Sequence, residues 1–122
     1  MGVTFIKIAV VYFIAGVALG LFMAISQDHS VIPVHAHVNL LGWVSLALCG
    51  LVHQQFPTLQ AHWLAKAHFW LHNIGLPIGM IGLFFFLRGH DAVRPAVAAG
   101  SMIAGLGVMC FGILVVQQLG RQ

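Results

Sequence analysis

Four long apolar runs, separated by short polar connections, decide what this chain can fold into. They cover residues 4–26, 34–56, 63–87 and 92–119. Each reaches the roughly 20 residues that an α-helix needs to cross a bilayer. The connections are Gln27-Asp28-His29-Ser30, Pro57-Thr58-Leu59-Gln60 and Arg88-Gly89-His90-Asp91. Pro33, Pro57 and Pro95 stand where a helix begins or ends, and Pro77 lies inside the third run, which it should bend.

Charge supports the same conclusion. Five Lys/Arg and two Asp/Glu make up 6% of 122 residues, while 61% are hydrophobic. Soluble domains carry about a quarter charged residues, and disordered chains combine low hydrophobicity with high charge. Five scattered basic residues cannot track phosphates, which excludes nucleic acid as a partner. The expected fold is all-α: one integral membrane domain, residues 1–122, of four transmembrane helices whose surroundings are lipid. The first run is longer than a signal-peptide core and is read as a retained span. Lys7, Lys66 and Arg121 fall on one side against Arg88 and Arg94 on the other. That balance favours a cytoplasmic N-terminus, in a bacterial inner membrane.

Small residues are spaced for close helix contact. Gly16 and Gly20, and Gly75 and Gly79, form GxxxG steps; Gly100 with Ala104 and Ser101 with Gly105 extend the pattern in the fourth run. Cys49 and Cys110 lie in apolar runs with no CxxC or CxxCH motif, so they are read as structural thiols, and covalent haem attachment is not indicated.

Eight histidines outnumber the charged residues. A polar side chain inside a membrane is costly, which makes each a functional candidate. His35 and His37 open the second run two residues apart; at about 100° per residue they point to opposite sides of one helix. One helix then offers one imidazole to each of two neighbouring sites. His68 and His72, four residues apart, share a face of the third run and form a further candidate metal pair. His53, His62, His29 and His90 are expected near water. Zinc suits this pattern poorly, because it wants four converging ligands. Haem needs one or two axial imidazoles and an apolar pocket, for which Trp43, Trp63, Phe69, Trp70 and Phe84-Phe85-Phe86 offer a lining.

The segment Val34-His-Ala-His-Val-Asn-Leu-Leu-Gly-Trp43 resembles the tenth helix of subunit I of the haem-copper oxidases, a family that includes cytochrome c oxidase and the large subunit of the nitric oxide reductases. Leu51-Val-His-Gln-Gln-Phe-Pro57 resembles the end of that helix, and Leu64-Ala-Lys-Ala-His-Phe-Trp-Leu71 with Ile74-Gly75 the start of the eleventh. The resemblance covers residues 34–87. It implies that His35 and His37 ligate two different haems, and that Arg88 and Arg94 lie near haem propionates. Asn39 stands on the face of His35, where it would orient that imidazole; Trp43 closes the motif.

The chain also departs from that family. It has four spans where the family subunit has about twelve, no His-His pair for a copper site, and its one tyrosine, Tyr12, in the first span. No catalytic residue is therefore assigned. The family body looks like three arcs of four helices with the ligand helix second in its arc, so a homotrimer of this chain would rebuild it. The expected function is electron transfer through non-covalent b-type haem held by paired histidines at protomer interfaces, with iron as the metal. Two alternatives stay open. One is a minimal oxidase or nitric oxide reductase-like enzyme with haem plus an additional metal at His68 and His72, for which copper is a candidate but not the favoured one; the other is a non-redox scaffold, assembly factor or carrier of haem or copper.

Overall fold

The structure is a computed structural model, and it describes residues 1–121. Helix α1 spans Gly2–Ser26, and the second crossing runs as α2 (Ile32–His37), a π-helical segment (Val38–Val44) and α3 (Ser45–Gln55). A 3-10 turn, Pro57–Ala61, leads to α4 (Trp63–Leu87), and a second, Asp91–Val93, to α5 (Arg94–Leu119). There is no strand among the described residues. All four crossings are long and apolar enough to span a membrane, the all-α integral membrane architecture expected from the sequence. Helix α2 begins at Ile32, two residues before the hydropathy run, and α5 at Arg94, two residues after it, because Pro33 and Pro95 each fit the first helical turn, where their missing N–H is not needed.

The outward surface is apolar. Ile25, Val116 and Met102 are among many large side chains exposed on it. In water this would be an aggregation surface, and in lipid it is the correct one. The connections are polar. Gln27 ends α1 in the left-handed region (φ 57°), and its amide donates to the carbonyl of Ala24 at 2.7 Å. On the same face of the bundle, Arg88 pairs with Asp28 at 2.7 Å and its guanidinium lies over the Phe84 ring.

The helices pair as two antiparallel hairpins, α1 with the second crossing and α4 with α5. Small residues make both contacts. A Cβ added to Gly100 would strike the backbone of Gly79, and one on Gly107 would lie 2.8 Å from the His72 backbone nitrogen. In the first hairpin Gly16 accommodates Asn39, Gly20 accommodates His35 and Gly42 accommodates Tyr12. Of the small residues singled out in the sequence, Gly75, Gly79, Gly100 and Ala104 meet in the α4–α5 seam, whereas Ser101 and Gly105 face out of it. Between hairpins the contacts are made by larger side chains. Phe5, Ala9, Leu46 and Cys49 meet Phe69 and Phe111 of the second hairpin, Met23, Val31, Val34 and Val38 meet Met80, Leu83, Phe84 and Leu87, and a third cluster gathers Leu59, Leu64, Ala65 and Leu114 at the end face.

The π-helical segment changes what the middle of the bundle can offer. The Ser45 N–H bonds the carbonyl of Leu40 instead of that of Leu41, and the Ser45 hydroxyl donates to the same oxygen at 2.7 Å. The Leu41 carbonyl is thereby released from its α-helical donor and points to α4, where His72 meets it. Such turns often mark functional positions.

Candidate functional site

His35 and His37 are held alike. In each ring Nδ1 lies at hydrogen-bonding distance from a backbone carbonyl: 2.8 Å from Gly16 for His35, 2.7 Å from Pro33 for His37. A carbonyl only accepts, so both Nδ1 atoms carry the proton, and both Nε2 atoms are left as lone pairs without a partner among the described residues. This is the tautomer that a metal-binding imidazole uses. The half-buried His35 ring packs over Gly20 of α1, while the exposed His37 borders a cleft between the second crossing and the second hairpin. The two rings therefore meet different surroundings, as their spacing along a helix requires. Asn39 sits where it was expected, beside His35. Its amide donates to the His35 carbonyl at 2.9 Å and lies 3.4 Å from the ring, fixing the turn that carries it.

The cleft at His37 has a volume of about 460 Å³, with Leu41, His72, Met80, Ser101 and Gly105 in its wall. That volume lies in the range of about 300–1,000 Å³ typical of cofactor and ligand sites. Its lining is small and aliphatic, and the expected aromatic pocket is not assembled here. Trp63 and Trp70 are more than half exposed on the lipid side. Trp43 leans on Phe13 of α1, ring centroids 4.7 Å apart. Phe84 and Phe85 line a second groove of about 320 Å³ with Tyr12, Val38 and Pro77, and no histidine borders it. Small residues occupy the helix seams in lipid, and bulky rings are turned outward as a result.

Arg88 and Arg94 both lie exposed at the Asp28 end of the bundle. Arg88 is engaged by Asp28. Two hydrogen bonds involving Ser30, and then Arg88, hold the Asp28 carboxyl below its ordinary range. Arg94 rests over the Phe86 ring and has no ion pair among the described residues.

His68 and His72 are brought together inside the bundle, both fully buried. His68 Nε2 lies 3.2 Å from His72 Nδ1, and His72 Nε2 lies 2.9 Å from the Leu41 carbonyl. Cys49 Sγ approaches His68 Nε2 at 3.9 Å. No group of three or more His, Cys, Asp or Glu positioned to hold a metal ion is present among the described residues.

One residue was misjudged from the sequence. His53 is not interfacial but 0% exposed, and neither ring nitrogen has a hydrogen-bond partner among the described residues. Its ring stacks on Phe5 at 5.4 Å and meets Phe111 edge-on. The end turn causes this. Gln60 folds back to donate to the His53 carbonyl at 2.9 Å, and Leu59 beside it is buried, so the turn closes over the helix end. His62 instead caps α4, accepting from the Leu64 N–H at 3.1 Å, and His29 and His90 are exposed as expected.

No protein-family model, curated protein or solved structure matches this chain.

Proposed function

We propose that this chain is an integral membrane protein that carries electrons through non-covalent b-type haem, with His35 and His37 as axial ligands. One observation carries the reading. Both rings are anchored through Nδ1 to a backbone carbonyl, and both present an unpartnered Nε2 near the same membrane face. Bound haem would supply a one-electron redox centre; two imidazoles on one iron would leave no open position for gas chemistry.

The cleft at His37 fits one face of such a group by volume and by its apolar wall. His35 lies against α1 instead, so the two histidines of one chain do not face one iron. A ring of protomers resolves this, each haem taking His37 from one chain and His35 from its neighbour. We propose a homotrimer, because three copies of four crossings rebuild the twelve-helix body that the resemblance implies. Arg94, exposed and without an ion pair among the described residues, stands at the end of the cleft-bearing hairpin where a propionate would need a cation; Arg88 would have to exchange Asp28 for it.

The test is an optical spectrum of protein purified in mild detergent, oxidised and dithionite-reduced, with iron and copper counted per chain and the mass of the assembly measured. Sharp reduced α and β bands, about one iron per chain and loss of the bands in both His35→Ala and His37→Ala are expected. Protein that stays colourless when haem is offered overturns the reading. A monomer or dimer that retains the spectrum overturns the trimer alone.

A further inference from the structure

We propose that His53, His68 and His72 form a buried proton relay leading from the Gln60 end of the bundle to the cleft at His37.

The hydrogen-bond chain fixes the protons without reference to any ligand. The Leu41 carbonyl only accepts, so His72 Nε2, 2.9 Å away, bears the hydrogen. The Nδ1 of the neutral His72 ring is then a lone pair. It faces His68 Nε2 at 3.2 Å, which must be the donor. His68 Nδ1 is left as a lone pair, fully buried and with no partner among the described residues. His53 adds one donor and one acceptor in the same condition. Both rings pack against Phe5, at 5.4 and 5.1 Å, and against Phe111, at 5.9 and 4.9 Å, so the unmet groups belong to neighbouring imidazoles in one apolar region. Folded proteins do not leave such groups unpaired, and where side chains do not pair them, bound water does. Bound water that accepts from the His53 N–H and donates to His68 Nδ1 would meet two of these three groups, and a second water on the Gln60 side would donate to the remaining His53 nitrogen.

A proton delivered to His68 Nδ1 makes an imidazolium. Its Nε2 proton passes to His72 Nδ1, and the His72 Nε2–H leaves the Leu41 carbonyl and is given up to water in the cleft, whose wall His72 forms. One proton enters, one leaves, and no electron moves. A half-turn of each ring restores the starting tautomers. The elements around the relay present Phe5 from α1, Cys49 from α3 and Phe111 from α5, so no acidic or basic side chain among these contacts traps the proton. The Cys49 thiol is the one other ionisable side chain in contact with the pair, and the amino group of Met1 acts on His53 from the end face. Intramembrane histidine chains are a recognised means of moving protons. The relay uses protein atoms and water alone, so it stands or falls independently of haem.

The experiment is nitrogen-15 NMR of histidine-labelled protein in nanodiscs. Wild type is expected to show His68 protonated at Nε2, with scalar coupling through the hydrogen bond to His72 Nδ1. The bridging proton should exchange with D2O at least tenfold faster than in His53→Phe, which keeps the ring stack on Phe5 and removes both nitrogens. Equal exchange in the two proteins overturns the relay. So does His68 protonated at Nδ1, the form needed if His68 Nε2 and His72 Nδ1 jointly held a metal ion; loss of the coupling on adding one equivalent of Cu(I) would identify that site instead. If His53→Phe does not fold, wild type still decides: a bridging proton that exchanges with D2O no faster than the backbone amides of the surrounding α4 turn overturns the relay.

Discussion

The Nδ1 of His35 lies 2.8 Å from the carbonyl oxygen of Gly16, one helix earlier in the chain. The contact exists because position 16 has no side chain. A Cβ there would come within 2.5 Å of the Asn39 amide nitrogen, and Asn39 in turn holds the turn that carries His35. Gly16→Val should therefore push α1 away from α2, with an overpacking cost of about 1–3 kcal/mol. Thermal unfolding in detergent followed by circular dichroism reads the loss. If haem is bound through His35, the same variant lowers haem occupancy while leaving the His37 ring intact.

The α4–α5 seam gives a sharper contrast within one helix. A methyl on Gly100 meets the Gly79 backbone, which cannot rotate away as a side chain can, whereas one on Gly105 meets nothing within 4 Å. Gly100→Ala should lower the melting temperature markedly. Gly105→Ala should leave it unchanged or raise it, since Ala is favoured over Gly in a helix by about 1 kcal/mol. Equal melting temperatures for the two variants would falsify the seam.

Much of this was legible in the sequence, for physical reasons. Lipid imposes long uninterrupted apolar runs and a regular spacing of small residues, so the crossings and the residues of close helix contact could be read directly, while the partners, Gly75 with Ala104 and Gly79 with Gly100, came from the packing. The divergence of His35 and His37 followed from helix geometry. Two things did not. The π-helical segment leaves no compositional mark in Val38-Asn-Leu-Leu-Gly-Trp-Val44, yet it releases the carbonyl that orients His72. The burial of His53 depends on a turn folding back over it, a tertiary event invisible in the run itself; its position four residues after Cys49, on one helix face, was the available signal. The function proposed for His35 and His37 rests on the resemblance together with their tautomers, and the spectrum decides it.

Asp28 gives the chain an acid-sensitive corner. Its carboxyl is held below the ordinary value near 3.8, chiefly by hydrogen bonds involving Ser30 and then by Arg88. A lowered carboxylate pKa contributes stability above the unfolded value, and that contribution is lost as pH falls through the folded one. The group is exposed, so the effect is small and weakened by salt. Wild type should lose slightly more melting temperature between pH 5 and pH 2 than Asp28→Asn does, and the difference should shrink in 0.5 M salt, about where screening reaches a few ångströms. A difference that instead grows as pH rises from 5 to 8 would contradict the assignment.

Cys49 reports whether the hairpins are docked. It is buried at the inter-hairpin seam beside His68, with no disulfide. In folded protein it should resist a maleimide, and it should react once detergent and heat separate the hairpins. Mass spectrometry of the labelled chain at increasing temperature gives the opening directly. Rapid labelling of Cys49 at room temperature would show that the two hairpins are not packed as described.

Phe5 should be the most costly side chain in the bundle to truncate. It is fully buried, stacks on both His53 and His68, and meets Phe69 edge-on at 5.2 Å, so it joins α1 to the second crossing and to α4 at once. Removing such a ring leaves a cavity, at a cost of about 3–5 kcal/mol. Val11, only six residues along the same helix, faces outward and is about two-thirds exposed at 65%. Val11→Ala loses little, because lipid or detergent refills the space. Unfolding of the two variants in a common detergent, titrated with denaturant, separates a structural keystone from a lipid-facing side chain. Should Phe5→Ala be as stable as Val11→Ala, α1 does not pack through Phe5, and the chamber shared by His53 and His68 is not closed in the way their unpaired nitrogens require.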